Sequence, residues 1–223
     1  MPAASHPLVI FDFDGTIADS TAAICQLFNE SLVATGFEAV PETEIRQRIG
    51  LSLAKIGKEL TGLGPEHEGH RALVENYRER CIAGGLAHVR YFDGMQPLLT
   101  RFRQAGATLG IATGKGLRGL LENLDANYGR DDFAALACSD QVERGKPAPD
   151  LVDRVLKETG FAAHEAVLVG DTTHDVLMGQ AAGVETIAVS YGAHDAATLA
   201  KSKPDKLLHS VRELGEALLP WQP

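Results

Sequence analysis

The sequence has few cysteines, a deficit of positive charge and no long hydrophobic run. Its three cysteines, Cys25, Cys81 and Cys138, are widely separated and form no C-x-x-C pair, so neither a zinc site nor a disulfide framework is expected. Lysine and arginine total 21 against 30 acidic residues, and this net charge of −9 argues against nucleic acid or an anionic membrane as the main partner. No stretch approaches the roughly 20 apolar residues of a membrane span. Because the amino terminus also has no basic leader, we expect a cytoplasmic protein.

The 223 residues, 44% of them hydrophobic, are typical of a globular protein with a substantial core. Short apolar runs that do not alternate predict parallel strands buried on both faces, at Leu8–Phe11, Thr108–Ala112, Ala166–Val169, Thr186–Val189 and, more weakly, Phe133–Cys138. Helical patterns lie between them at Met95–Gln104, Asp150–Thr159 and Asp175–Ala182. The alternation predicts an α/β fold with a doubly wound, Rossmann-like parallel sheet.

The segment between the first two strands is too long for a simple crossover. About 80 residues separate Thr16 from Met95, whereas a βαβ unit needs only about 30. This segment has no convincing strand but has helical patterns at Thr21–Val33, Glu42–Ile49, Ser52–Leu60 and Glu66–Ala83. We therefore predict a core domain of residues 1–16 and 95–223, with residues 17–94 inserted as a small helical cap domain.

Chemically suggestive residues follow the predicted strands. They are four acids, a lysine and a Thr-Gly pair: Asp12, Asp14, Thr113, Gly114, Lys146, Asp171 and Asp175. Ligands of open parallel sheets bind at the carboxyl ends of the strands, where these residues fall. Carboxylates suit Mg²⁺, a carboxylate can attack phosphorus, and lysine and threonine can hold phosphoryl oxygens. The set indicates phosphoryl transfer.

Four stretches in order resemble the motifs of the haloacid dehalogenase superfamily. They are FDFDGTIADS (residues 11–20), ATGK (112–115), GKPAPD (145–150) and VGDTTHD (169–175). The inserted helices are similar to the superfamily's cap in its commonest position. Within the superfamily, the likeness is to phosphoglycolate phosphatases and their relatives, and it covers essentially the whole chain.

The resemblance implies catalytic roles for matching residues. Asp12 would be the nucleophile that becomes phosphorylated, and Asp14 would be the general acid and then the general base. Thr113 and Lys146 would hold the phosphoryl group, with the backbone at Gly114 adding to the anion site.

The resemblance also implies a Mg²⁺ site. Asp12, the main-chain carbonyl of Asp14 and Asp171 would be ligands, with Asp175 a ligand or a support. Residues Thr16–Ser20 would form the hinge on which the cap closes to exclude water.

Two cap residues, Arg48 and Ser52, are candidates for binding the leaving group of the substrate, although a surface helix carries such residues without any function. The resulting hypothesis is a Mg²⁺-dependent phosphatase of a small phosphorylated metabolite, with phosphoglycolate or a sugar phosphate as substrate. We expect a monomer or a homodimer, with no nucleic-acid or membrane partner.

Three alternatives stay open. A phosphosugar mutase of the β-phosphoglucomutase type is disfavoured because that branch usually has Val or Ile where this chain has Thr16, and an arginine where it has Leu53. A non-enzymatic phosphoaspartate switch would not need Asp14 beside Asp12 or a large insertion. A catalytically inactive binding module is disfavoured because no motif position has been lost.

Overall fold

The structure is a computed structural model that describes residues 4–86, 89–127 and 129–219. Residues 1–3, 87–88, 128 and 220–223 of the predicted domains lie outside this range. Within it, the strands are β1 (Leu8–Phe11), β2 (Thr108–Thr113), β3 (Ala135–Cys138), β4 (Ala166–Gly170), β5 (Glu185–Val189) and β6 (Lys206–Leu208).

The strands form one parallel sheet in the order β3-β2-β1-β4-β5-β6. The central strand β1 pairs with β2 through Leu8↔Thr108 and with β4 through Leu8↔Ala166. This arrangement confirms the predicted parallel α/β sheet. The sequence did not predict β6, because this three-residue edge strand pairs only with β5 and begins with the exposed Lys206.

Helices cover both faces of the sheet. The helices that follow the insertion are α5 (Met95–Gln104), α6 (Leu117–Ala126), α7 (Asp150–Thr159), α8 (Thr173–Ala182), α9 (Ala196–Lys201) and α10 (Val211–Leu218). Of these, α6, α9 and α10 were not predicted. Phe11 packs in one hydrophobic cluster with Phe102 of α5, whereas Ile10 packs in another with Val155 of α7. Alternate residues of β1 therefore face opposite layers, which makes the sheet doubly wound.

The insertion between β1 and β2 is helical, as predicted. Its helices are α1 (Thr21–Ala34), α2 (Glu42–Arg46), α3 (Leu53–Thr61) and α4 (Glu68–Arg80). Helix α1 packs on α2 and α4, and α3 packs on α4. Buried residues of this insertion, such as Phe28 and Ile49, share one hydrophobic cluster with Phe11 of the sheet. The division into two domains at residues 16 and 94 stays a prediction.

Two helices of the insertion are shorter than predicted. Helix α2 stops at Arg46 because the backbone then forms tighter hydrogen bonds between residues three apart. The Arg48 N–H, for example, donates to the carbonyl of Ile45. Helix α4 starts at Glu68, where the His67 side chain accepts from the Gly69 N–H, and it passes into a π-helical turn at Cys81–Gly85. In the described part of the chain, none of the helices combines the length and apolar character needed to cross a bilayer.

Candidate active site

The predicted site residues meet at the carboxyl edge of the three central strands. Asp12 follows β1, Thr113 ends β2 and Asp171 follows β4, and all three side chains are buried. Because β1 lies between β2 and β4, the fold places these residues side by side.

Asp12 is buried with one carboxylate oxygen held and the other free. Its Oδ1 lies 2.8 Å from Lys146 Nζ and accepts a 2.7 Å hydrogen bond from the Phe13 N–H. Its Oδ2 is buried and has no hydrogen-bond partner among the described residues. Burial raises the pKa of Asp12 from 3.8 to about 7, although the charge of Lys146 opposes this change. One oxygen is thus available to attack a substrate or bind a cation.

Lys146 bridges two acids in the interior. Its Nζ lies 2.8 Å from Asp12 and 2.5 Å from Asp175, and its side chain is inaccessible to solvent. Burial lowers the pKa of Lys146, but the charges of Asp12 and Asp175 outweigh burial, so the net change is upward. The lysine is therefore a fixed cation beside the nucleophile candidate.

Three buried acids provide a set of oxygens that fits a divalent cation. One carboxylate oxygen from each of Asp12, Asp171 and Asp175 lies within 4.8 Å of the others. Burial, and then the charges of Asp12 and Asp175, raise the pKa of Asp171 well above its usual range. Three acids around the single charge of Lys146 favour uptake of protons without a metal, and a divalent cation would take the place of these protons. Hard oxygen ligands are those that Mg²⁺ prefers. The role of the Asp14 carbonyl as a ligand stays a prediction.

Asp171 is oriented by groups that the sequence analysis did not assign to the site. The Thr16 hydroxyl donates to Asp171 Oδ1 over 2.7 Å, and the Ala193 N–H donates to Oδ2 over 2.7 Å. Gly15 lies so close that a Cβ there would overlap the carboxylate of Asp171, and its φ of +83° also favours glycine. Asp175 has both oxygens engaged, by Lys146 and by the hydroxyl and N–H of Thr172.

Asp14 is paired with a lysine to which the sequence analysis gave no role. Lys115 Nζ lies 3.1 Å from Oδ1 and 3.0 Å from Oδ2 of Asp14, and both side chains are nearly buried. The Ser20 hydroxyl also donates to Asp14 Oδ1 over 2.8 Å. The available signal was the position of Lys115 at the end of the ATGK motif.

The loop between α2 and α3 covers the site next to β2. A Cβ at Gly114 would overlap the carbonyl oxygens of Gly50 and Leu51, so the loop backbone rests directly on the turn after Thr113. Ser52 follows in this loop and precedes α3 without capping it through its side chain. The structure therefore brings the loop, and Ser52 with it, beside Gly114.

Arg48 forms ion pairs with two acids of the insertion. Its guanidinium lies 3.8 Å from the Glu44 carboxylate and 3.5 Å from that of Glu59, and it also donates to the Glu44 carbonyl. The roles of Arg48 and Ser52 in substrate binding stay predictions.

A second contact joins the insertion to the core beside the acids. Nε2 of His174, in the first turn of α8, lies 3.3 Å from the carbonyl oxygen of Gln47. The ring of His174 packs edge-on against that of His194, with centroids 5.9 Å apart. The insertion thus touches the core on both sides of the site.

Comparison with known proteins agrees with this geometry. The family model of haloacid dehalogenase-like hydrolases matches residues 9–189. A probable phosphatase, IndB, of Dickeya dadantii (strain 3937) is 32% identical over 93% of this chain and 91% of its own length. A phosphoglycolate phosphatase of Mesorhizobium japonicum is 29% identical over 86% of each chain. The crystal structure of a haloacid dehalogenase-like hydrolase from Bacteroides fragilis superimposes with a TM-score of 0.88, covers 94% of this chain and 100% of its own, and is 24% identical, which supports the fold.

This chain belongs to the haloacid dehalogenase-like hydrolases. Membership confirms the predicted family, with its resemblance to phosphoglycolate phosphatase, and the predicted class of enzyme, a phosphoric monoester hydrolase. The roles of the individual side chains are proposals, argued below.

Proposed function

We propose that this chain is a Mg²⁺-dependent phosphatase that hydrolyses a small phosphomonoester through a phosphoaspartyl intermediate on Asp12. The observation that carries the proposal is the state of Asp12. Its Oδ1 is fixed by Lys146 and by the Phe13 N–H, whereas its buried Oδ2 has no hydrogen-bond partner among the described side chains and backbone groups. A carboxylate held in this way is oriented to attack, with one lone pair available.

In the first half-reaction, an oxygen of Asp12 attacks phosphorus and the bond from phosphorus to the leaving oxygen breaks. The electron pair of that bond stays on the leaving oxygen, which takes a proton from the carboxyl group of Asp14. The Lys146 ammonium and the Thr113 hydroxyl hold the phosphoryl oxygens as charge shifts onto them. The products are the free alcohol and phosphorylated Asp12.

In the second half-reaction, Asp14 acts as a base. A water molecule attacks phosphorus while Asp14, now a carboxylate, accepts one of its protons. The bond from phosphorus to the Asp12 oxygen breaks, and inorganic phosphate and the Asp12 carboxylate are restored. The Asp14 carboxyl group gives up its proton in the first half-reaction and regains one from water in the second, so the same side chain serves both.

The cluster of Asp12, Asp171 and Asp175 supports a Mg²⁺ ion as the cofactor. We assign Asp12, the Asp14 carbonyl and Asp171 as its ligands, with Asp175 linking the site to Lys146. The bound ion would neutralise charge between the nucleophile and an anionic substrate.

Phosphoglycolate is our first candidate substrate and a sugar phosphate is the next. The similarity to a phosphoglycolate phosphatase supports this order. The mutase alternative would need a second phosphate anchor in the insertion, where this chain has Leu53 and where Arg48 is paired with Glu44 and Glu59. A cytoplasmic location and a monomeric or homodimeric state stay predictions.

The experiment is phosphate release from a panel of small phosphomonoesters with Mg²⁺. The variants are Asp12→Asn and, as a control, Asp125→Asn, which changes an exposed acid on α6. We expect the wild type and the control to hydrolyse one or a few compounds. For Asp12→Asn we expect a rate at least about 10⁴-fold lower, because an amide cannot form the acyl phosphate.

A hydrolytic rate in Asp12→Asn comparable to that of the control would exclude Asp12 as the nucleophile. A wild type that releases no phosphate from any compound, but carries a phosphoryl group on Asp12 after treatment with a phosphodonor, would favour the mutase or the switch.

A further inference from the structure

The ion pair with Lys115 engages both oxygens of Asp14, the general acid candidate. Lys115 Nζ contacts both carboxylate oxygens of Asp14, at 3.1 and 3.0 Å, and the Ser20 hydroxyl contacts Oδ1 as well. An acid that protonates a leaving oxygen must present one of its own oxygens to that atom. Lys115 therefore competes with the leaving oxygen for Asp14, and its ammonium lies where the leaving group would bind.

Lys115 is the cation placed to move. Lys146 is held by Asp12 and Asp175 with no solvent exposure. The Lys115 side chain is also shielded, with 11% exposure, but among the described residues it has one acid partner, Asp14, where Lys146 has two. Its ammonium lies 6.0 Å from the centre of the Phe13 ring, beside Asp14. A lysine side chain has several rotatable bonds, so it can turn from Asp14 to another anion close by.

The insertion faces Lys115 with neutral groups. Burial raises the pKa of the Cys81 thiol. The nearby charge of Lys115 lowers this pKa and that of Asp14 raises it, and the net change is upward. Burial, then Cys81 and Asp14, raise the pKa of Tyr77 well above its usual range. The thiol and the phenol with raised pKa values are neutral neighbours of this pair, and Asp14 is the one carboxylate in ion-pair contact with Lys115 among the described residues. An anionic substrate would bring a second negative charge to this edge of the site.

We propose that Lys115 is the receptor for a carboxylate on the leaving group of the substrate. This carboxylate takes the place of Asp14 on the ammonium, so that the Asp14 carboxyl group, with the proton it accepts from water in the second half-reaction, can turn to the leaving oxygen. The inference rests on the proposed function, since Asp14 meets the leaving oxygen. Lys115 lies next to Asp14, so it reaches substituents on the carbon that bears the ester oxygen. The preferred substrates are then phosphate esters of short 2-hydroxy acids, and neutral alcohols of the same size are poor leaving groups here.

The test uses two substrates that differ only in charge, phosphoglycolate and its amide, phosphoglycolamide. The variants are Lys115→Met, which keeps the length of the side chain without its charge, and Lys115→Arg, which keeps the charge. Lys201→Met, at an exposed position of α9, is the control. Circular dichroism and thermal unfolding check that each variant is folded.

We expect the wild type and the control to prefer phosphoglycolate by about 30-fold in kcat/KM. A factor of this size is typical of the loss of one hydrogen bond between charged groups. Lys115→Met should lose most of this preference. Its kcat/KM should fall by about 30-fold for phosphoglycolate, while kcat for the amide should be unchanged or higher because Asp14 is free. Lys115→Arg should restore part of the preference.

An equal loss of kcat for both substrates in Lys115→Met would overturn the inference, since it would show that Lys115 only holds Asp14 in place. Equal kcat/KM of the wild type for both substrates would overturn it as well. Either result leaves the proposed phosphatase standing.

Calorimetric binding to Asp12→Asn tests recognition without turnover. We expect phosphoglycolate to bind about 10-fold more tightly than the amide, and the further change Lys115→Met to remove the difference. Equal binding of the two compounds to Asp12→Asn contradicts the inference. Failure of the proposed function has another signature, which is that the wild type hydrolyses neither compound nor any other phosphomonoester.

Discussion

Lys146 Nζ lies 2.8 Å from Asp12 Oδ1, and neither side chain is accessible to solvent beyond about 1%. Lys146 also contacts Asp175 at 2.5 Å, so one cation serves two acids in the interior. A buried cation shared in this way fixes the direction of the Asp12 carboxylate and offsets part of its charge before any substrate binds. The predictions below follow from this pair and the groups around it.

Replacing Lys146 by Met should impair both stability and activity. The change leaves Asp12 and Asp175 buried without their cation, and loss of one partner of a buried ion pair costs about 3–5 kcal/mol. We expect the free energy of unfolding in urea to fall by about 3 kcal/mol at pH 8 and by less at pH 5, where the acids can take up protons. Phosphate release should be lost at both pH values.

Lys157→Met, at an exposed position on α7, is the control for this change and should unfold like the wild type. A Lys146→Met variant as stable as the control at pH 8 would contradict the structural role assigned to the buried pair.

Replacing Asp14 by Asn should slow the second half-reaction and trap the phosphoenzyme. An amide cannot accept a proton from water, and loss of a general base slows a reaction by about 10²–10⁴-fold. With p-nitrophenyl phosphate, whose leaving group needs little help from an acid, phosphorylation of Asp12 should continue. Mass spectrometry of acid-quenched protein should then detect one added phosphoryl group.

Asp12→Asn is the comparison for Asp14→Asn, because it lacks the acceptor and should show no added mass. Rapid turnover of p-nitrophenyl phosphate by Asp14→Asn, without any trapped intermediate, would argue against Asp14 as the base.

Mg²⁺ should stabilise the folded protein through the three acids. An ion present at about 100 times its dissociation constant contributes about 2.7 kcal/mol, which corresponds to about 5–10 °C in Tm for a chain of this size. Asp171→Asn should lose most of this shift, measured by calorimetric unfolding with and without Mg²⁺. A full shift in Asp171→Asn would place the ion elsewhere.

The stability of the metal-free protein should depend on pH because of the same acids. Burial raises the pKa of Asp12 from 3.8 to about 7, so the folded state binds this proton more tightly than the unfolded state. The resulting stabilisation is present below about pH 4 and is lost as the pH rises through about 7. In EDTA, we expect Tm to fall between pH 5 and pH 8, with a smaller fall in Asp12→Asn.

Replacing Gly114 by Ala should disturb the contact between the insertion and the core. The new methyl group would overlap the carbonyl oxygens of Gly50 and Leu51 and push the loop away from the site. Because closure over the site excludes water, we expect kcat/KM to fall by about 10-fold or more, with little loss of helix by circular dichroism. Gly145→Ala, where a Cβ meets no atom within 4 Å and the backbone is not left-handed, controls for the loss of a glycine alone in thermal unfolding and activity. Unchanged kinetics in Gly114→Ala would show that this loop contact does not matter for turnover.

Much of the fold followed from local sequence patterns. The run Leu8–Phe11 and the helices Met95–Gln104 and Asp150–Thr159 have the predicted bounds, because an apolar run or a helical period with a clear stop is a local signal. Helices α6, α9 and α10 and strand β6 were not predicted. Strand β6 is short, lies at the edge and begins with an exposed lysine, so its signal is weak and its pairing with β5 defines it.

The sequence by itself determined which residues come to the carboxyl edge of the sheet, because Asp12, Thr113 and Asp171 each stand where an apolar run ends, and parallel strands bring those ends together. Only the tertiary structure decided which charges pair. Lys115 and Asp14 are 101 residues apart, and Lys146 and Asp175 are 29 apart. Which charges pair depends on how far each long side chain reaches in the folded protein and in which direction. No local sequence pattern contains that information.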